Sequence, residues 1–251
     1  MKKRCIIAGM ISVCAFLAFG ATHLEVDFDS LATGEIDNGG PTTAQLNSAT
    51  TGGSWSLTSD ANLTHEIQDD GGDKAFKSNY ANVNSGWTTF FSINLDTAID
   101  IDAMTSDLSI SFDTAVDAGT SFHREVQWQF VDSDGSTVLF TIWADDNGKI
   151  RFDGQDLGST GDWAGNDVLT TWDKDSIKIG HVSIVVDSAG NVTFDMTVDT
   201  DDFSDTSSFT ASGAELAEIR VRADPDQYYG QGAWMNDVLI ESGEPPGSVF
   251  R

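Results

Sequence analysis

Five arginines follow residue 20 in a chain of forty Asp and Glu: Arg124, Arg151, Arg220, Arg222 and Arg251. Arg151 lies between Ile150 and Phe152, and Arg220 and Arg222 alternate with Ile219 and Val221. In an extended chain that alternation turns the arginines away from the core. With Gln127, Gln129, Thr141 and Trp143 they are expected to line one polar sheet face. A planar guanidinium suits a carboxylate, a sulfate or sugar hydroxyls, and it equally suits a neighbouring Asp or Glu of the same chain.

Aromatic side chains offer a second grip, because sugar rings present apolar C–H faces that stack on Trp and Tyr. Trp143 has the opposite parity to Phe140 and Ile142, which places it on the polar face. Trp163 sits in the loop Gly161-Asp162-Trp163-Ala164-Gly165, and Tyr228 and Tyr229 sit in Gln227–Gly232. These four aromatics either cap the core edge or contact a ligand. Trp128, in phase with Val126 and Phe130, and Trp55, in phase with Leu57, read as core.

Several chemistries have no residues to carry them. There is no Gly-rich phosphate loop, no H-E-x-x-H, no serine nucleophile elbow and no cysteine beyond Cys14. His23, His65, His123 and His181 are scattered singly. Asp132-Ser133-Asp134-Gly135 and Asp199–Asp205 are only fragments of a calcium loop.

The elements that must position these residues are strands. Period-two alternation runs through Leu24–Asp29, Leu108–Asp113, Glu125–Phe130 and Val192–Val198. Turn residues that tolerate positive φ separate such runs, as in Asp146-Asn147-Gly148 and Ser188-Ala189-Gly190-Asn191. Hairpins are expected at 125–143, 138–153 and 181–199, with strands near 24–29, 55–58, 74–78, 88–95, 107–113, 218–223 and 234–241. Only Ala214–Ile219 reads as a short helical turn. Antiparallel strands with one apolar face each predict an all-β fold of two packed sheets.

Lys2, Lys3 and Arg4 precede an uncharged apolar run from Cys5 to Phe19, and Ala18-Phe19-Gly20 offers small residues for cleavage. Residues 1–20 therefore read as a signal peptide, which implies a secreted, extracellular or periplasmic chain. A lipid-anchored Cys14 is disfavoured by the bulky Val13 before it. Residues 21–242 form the domain and 243–251, with Glu244-Pro245-Pro246-Gly247, a linker or tail. A formal charge of −27 argues against nucleic acid or anionic lipid as partners, and nothing after the leader predicts membrane insertion.

The stretches VDFDSLATGEI, GGDKAFKSN, HVSIVVDSAGNVTFDM and GAWMNDVLIES resemble the concanavalin A-like lectin/glucanase sandwiches, which include laminin-G-like and carbohydrate-binding jelly rolls. The resemblance covers nearly the whole chain after the leader. It implies a jelly-roll topology with the first and last strands side by side and a structural calcium near them. Asp27, Asp29 and Asp237 are then the expected metal ligands, since crowded carboxylates favour a hard cation. Glu25-Val26-Asp27-Phe28-Asp29 is similar to the E-x-D-x-E strand of laminarinase-type glucanases, with Asp at the last position and at the start of the domain rather than on a central strand. His123-Arg124-Glu125-Val126-Gln127 and Gln227-Tyr228-Tyr229 resemble pieces of alginate-lyase sites, without the full motifs. The expectation is a monomeric, non-catalytic module that binds a polysaccharide or another glycan. Its ligand surface comprises Gln127, Gln129, Trp143, Arg151, Trp163, Arg220, Arg222, Tyr228 and Tyr229. A lyase or hydrolase of the same fold, or a matrix protein without sugar affinity, are the alternatives.

Overall fold

The computed structural model describes residues 20–60, 63–80, 87–116, 125–145, 148–160, 178–224 and 231–243. The chain opens with β1 (Ala21–Val26), β2 (Gly34–Glu35), a short helix α1 (Thr43–Ser48), β3 (Thr50–Thr51) and β4 (Gly53–Leu57). Then come β5 (Leu63–Asp70), β6 (Asp73–Tyr80), β7 (Thr88–Asp100), β8 (Leu108–Val116), β9 (Glu125–Asp132) and β10 (Val138–Asp145). The second half adds β11 (Lys149–Phe152), β12 (Gln155–Ser159), β13 (Gly180–Val186), β14 (Asn191–Val198) and β15 (Asp201–Ser208). It closes with β16 (Glu215–Asp224) and β17 (Gln231–Ser242).

Two antiparallel sheets pack face to face. The larger runs β15-β14-β13-β8-β17-β6-β5-β2, with β1 paired to β17 and β3. The smaller runs β12-β11-β10-β9-β16-β7-β4. First and last strands are neighbours, as the resemblance implied: Leu24 opposes Ile240 and Glu25 opposes Leu239. His23 Nε2 and Ser242 Oγ, 2.8 Å apart, tie the same two strands through side chains.

The alternation read from the sequence fills the space between the sheets. Val126, Trp128 and Phe130 of the smaller sheet and Ile110, Phe112 and Ile184 of the larger are all buried. Rings cross the interface: Phe152 stacks on Phe194 at 4.8 Å, and Trp55 meets Phe76 at 4.7 Å. Burying such rings removes apolar area from water at about 25 cal/mol per Å². That is how a chain with no cysteine after Cys14 holds together.

Two expectations about elements are corrected. The first strand does not reach residue 29. Asp27 accepts a hydrogen bond from Ser30 N and caps a single 3-10 turn, Phe28–Ser30, which ends the strand at Val26. Ala214–Ile219 is not helical: β16 begins at Glu215. The helix instead forms at Thr43–Ser48, where the Thr42 side chain accepts from Gln45 N and the Gln45 side chain accepts from Thr42 N. This T-x-x-Q capping box outweighs the local β tendency. Residues 1–19 and 244–251, most of the expected signal peptide and of the expected tail, lie outside the described residues.

Candidate functional site

The outer face of the smaller sheet gathers most of the expected ligand residues. Arg151, Trp143, Gln127, Arg222 and Thr89 are successive cross-strand neighbours on β11, β10, β9, β16 and β7. One pleat along, Thr141, Gln129, Arg220, Ser92 and Ser56 form a parallel row that ends on β4. Each row spans about 19 Å, taking ~4.8 Å between strands. Gln127 and Gln129 point away from the core yet are only 5% and 8% exposed, so the middle of the face is sheltered.

Aromatic and cationic groups touch one another along the first row and beside it. Trp143 meets Trp87 edge to face, with ring centroids 5.5 Å apart and planes at 62°. The Arg151 guanidinium lies 5.7 Å from the Trp143 ring, and that of Arg222 lies 5.8 Å from Trp87. Such contacts hold flat side chains upright on a sheet surface. Trp87 was absent from the expected set, and its place on the face comes from a β-bulge. Val221 pairs with Phe91 while Arg222 pairs with Thr89, so Phe90 is the extra residue that reverses the alternation before it.

The three arginines of the face differ in what they bind. Arg151 Nη1 donates to Glu125 Oε1 at 3.1 Å. Its charge also helps hold Asp156 below the usual carboxylate range, after the larger effects of the Lys149 and Gly158 hydrogen bonds. Arg220 donates through Nε and Nη2 to the two oxygens of Glu218 at 3.0 and 2.7 Å, and through Nη2 to Gly135 O. Ser92 Oγ donates to the same carboxylate. These two arginines are thus ion-paired within the fold. Arg222 has no carboxylate partner among the described residues. Its Nη2 reaches Trp87 O at 3.4 Å, and its Nε is buried without a hydrogen-bond partner. Beside it, Gln127 Oε1 accepts from Gln129 Nε2 at 3.1 Å, which leaves the Gln127 amide nitrogen as a donor next to the guanidinium.

The structure therefore brings together Gln127, Gln129, Trp143, Arg151, Arg220 and Arg222 on one face. Trp163, Tyr228 and Tyr229, with His123 and Arg124, lie outside the described residues. The acidic set is spread over different local structures. Asp27 caps the 3-10 turn, and Asp29 Oδ1 accepts from Lys74 N. Lys74 Nζ also donates to the carbonyls of Asp29 and Leu31 at 2.8 and 2.7 Å, which sets a cation beside this segment. Asp237 is exposed, with φ +48°, at the irregularity between Asn236 and Leu239. Among the described residues no three His, Cys, Asp or Glu side chains are grouped to hold a metal ion. Because β1 stops at Val26, Glu25, Asp27 and Asp29 do not share a strand face, and the glucanase-like spacing is not realised as a strand pair.

No helix among the described residues is long and apolar enough to cross a membrane. No family model and no curated protein sequence matches the chain. Solved structures do match in fold. A carbohydrate esterase from Shiga toxin-encoding bacteriophage phi24B is 13% identical, with a TM-score of 0.50, over 90% of this chain and 100% of that one. An endo-β-1,4-glucuronan lyase from the fungus Trichoderma reesei is 9% identical, with a TM-score of 0.49, over 75% and 90%. The CBM2 module of an evolved Dit protein from Lactobacillus casei BL23 phage J-1 is 13% identical, with a TM-score of 0.49, over 89% and 96%. At these identities the likeness is one of fold alone, and that fold is a two-sheet antiparallel β-sandwich.

Proposed function

We propose that the outer face of the smaller sheet is a glycan-binding surface and that the protein is a non-catalytic recognition module. One observation carries the reading: Trp143 and Trp87, half-buried and in edge-to-face contact, link Arg151 and Arg222 through successive ring contacts on one face. Aromatic rings flanked by planar hydrogen-bond donors match the two demands of a sugar, an apolar ring face and a rim of hydroxyls. The sheltered amides of Gln127 and Gln129 add fixed donors and acceptors in the same row and the next.

Retention of the purified protein on immobilised polysaccharides tests the reading, followed by assays for released reducing ends and for unsaturated uronate. Retention without product is the expected result. Product that disappears with Tyr228→Phe or Tyr229→Phe would replace the binder with a lyase. The calcium that the resemblance implies at Asp27, Asp29 and Asp237 is a separate proposal. A cation bound only by the folded state raises the thermal midpoint, and Asp237→Ala should abolish that rise. Identical melts in chelator and in millimolar calcium reject it.

A further inference from the structure

We propose that the glycan bound on this face carries one acidic sugar, seated at Arg222, within an otherwise neutral run. This rests on the glycan-binding reading and adds the charge of the ligand. Three observations lead to it. First, the chain has forty acidic residues against thirteen basic ones, yet Arg222 has no carboxylate partner among the described residues. Second, its Nε is buried and lacks an acceptor, and among the described residues its guanidinium hydrogen-bonds only the carbonyl of Trp87, at 3.4 Å. A buried donor without an acceptor is unfavourable, so this end of the side chain is poorly satisfied by the fold. A ligand carboxylate at the outer edge of this half-buried guanidinium would give it a counter-charge, with the Gln127 amide nitrogen beside it as a further donor.

Third, the other two arginines of the face cannot serve a second and third ligand charge without losing what they hold. Arg151 is paired with Glu125, and Arg220 is held by both oxygens of Glu218. A run of uronates would meet one guanidinium without a carboxylate partner among the described residues, flanked by two neutralised pairs, on a protein of net charge −27. At low salt that field repels a polyanion over about 10 Å or more, and a single carboxylate much less. One attractive contact within a repulsive field selects for one charge.

The test is calorimetric titration of the purified protein with hexasaccharides of glucose, mannose and galactose. Each is used in neutral form, with one C6 oxidised to carboxylate, and with every C6 oxidised. For the sugar that binds, the singly oxidised form should bind about tenfold more tightly than the neutral one, the range of a charge-assisted hydrogen bond. The fully oxidised form should bind more weakly than the singly oxidised form at low salt, and the gap should narrow as salt rises. Arg222→Gln should bring the neutral and singly oxidised affinities together, and Arg222→Lys should restore only part of the difference. Thermal melts of both variants separate lost recognition from lost fold. Equal affinity for neutral and singly oxidised forms, or tightest binding of the fully oxidised form at low salt, overturns the inference while the glycan reading stands. No binding of any hexasaccharide overturns both.

Discussion

Glu218 and Arg220, two residues apart on β16, are joined by hydrogen bonds of 3.0 and 2.7 Å across the outer face of the smaller sheet. The side chains are only 14% and 22% exposed, so each charge relies on the other. Glu218→Gln should lower the unfolding free energy by about 1–3 kcal/mol, because a partly buried guanidinium is left without its counter-charge. The double variant with Arg220→Gln should lose less than the sum of the single losses. Urea melts of the four proteins check this. Additive losses would mean that the pair is surface ornament.

Trp143→Ala should weaken glycan retention several-fold, about 1 kcal/mol of stacking, while leaving the fold intact. The ring is half-buried on the face, whereas Phe140 and Ile142 of the same strand point into the core. Trp87→Ala should act in the same direction, since the two rings brace each other. Retention that is unchanged in both variants would count against this face as the sugar platform.

Acid should weaken the protein in two separate ranges. Burial holds His65 below its ordinary 6.5, against a smaller opposing effect of the Thr58 carbonyl. Nε2 lies 3.2 Å from that carbonyl and so carries the proton, while Nδ1 is buried without a partner. The folded state favours the neutral ring, so the unfolded chain takes up protons first as pH falls below 6.5, and stability declines. His23 is shifted the same way by burial and adds to the decline. The thermal midpoint should fall between about pH 7 and pH 5, with a shallower slope in His65→Gln. An unchanged slope would remove His65 from the account.

The second range is shared by Asp37, Asp156 and Asp187, all held below 3.8 by hydrogen bonds, and by Asp134, whose carboxyl is lowered from 3.8 to about 2, chiefly by backbone and hydroxyl hydrogen bonds from Thr137 and the Ser136 amide. The Asp134 contribution is present above 3.8 and is lost as pH falls toward 2. Asp134→Ala should therefore partly flatten the melt profile in that interval and leave the His65 interval untouched. A variant that shifts both intervals alike would show a general loss of structure instead.

Residue order along the chain was enough for the sandwich and its polar face, and the resemblance supplied the pairing of first and last strands. Alternation is a local property: Ile219-Arg220-Val221-Arg222 in an extended chain must send the arginines one way and the aliphatics the other, and the structure keeps that division. Trp128 and Trp55 were legible as core for the same reason. The tertiary structure decided which residues complete the site. Trp87 reaches the face only because Phe90 is an inserted residue against β16, and a bulge has no signature in the alternation of one strand. It also decided which arginines have partners. Glu125 is remote from Arg151 in sequence and next to it in space, whereas Arg222, with the same parity as Arg220, faces a tryptophan carbonyl rather than a carboxylate. Asp27 shows the converse: its position in an alternating run predicts a strand, but its carboxylate finds the Ser30 amide and turns the chain. Periodicity fixes the side of a sheet on which a residue lies. The neighbour it meets there depends on register, bulges and caps, which are set only when the strands pair.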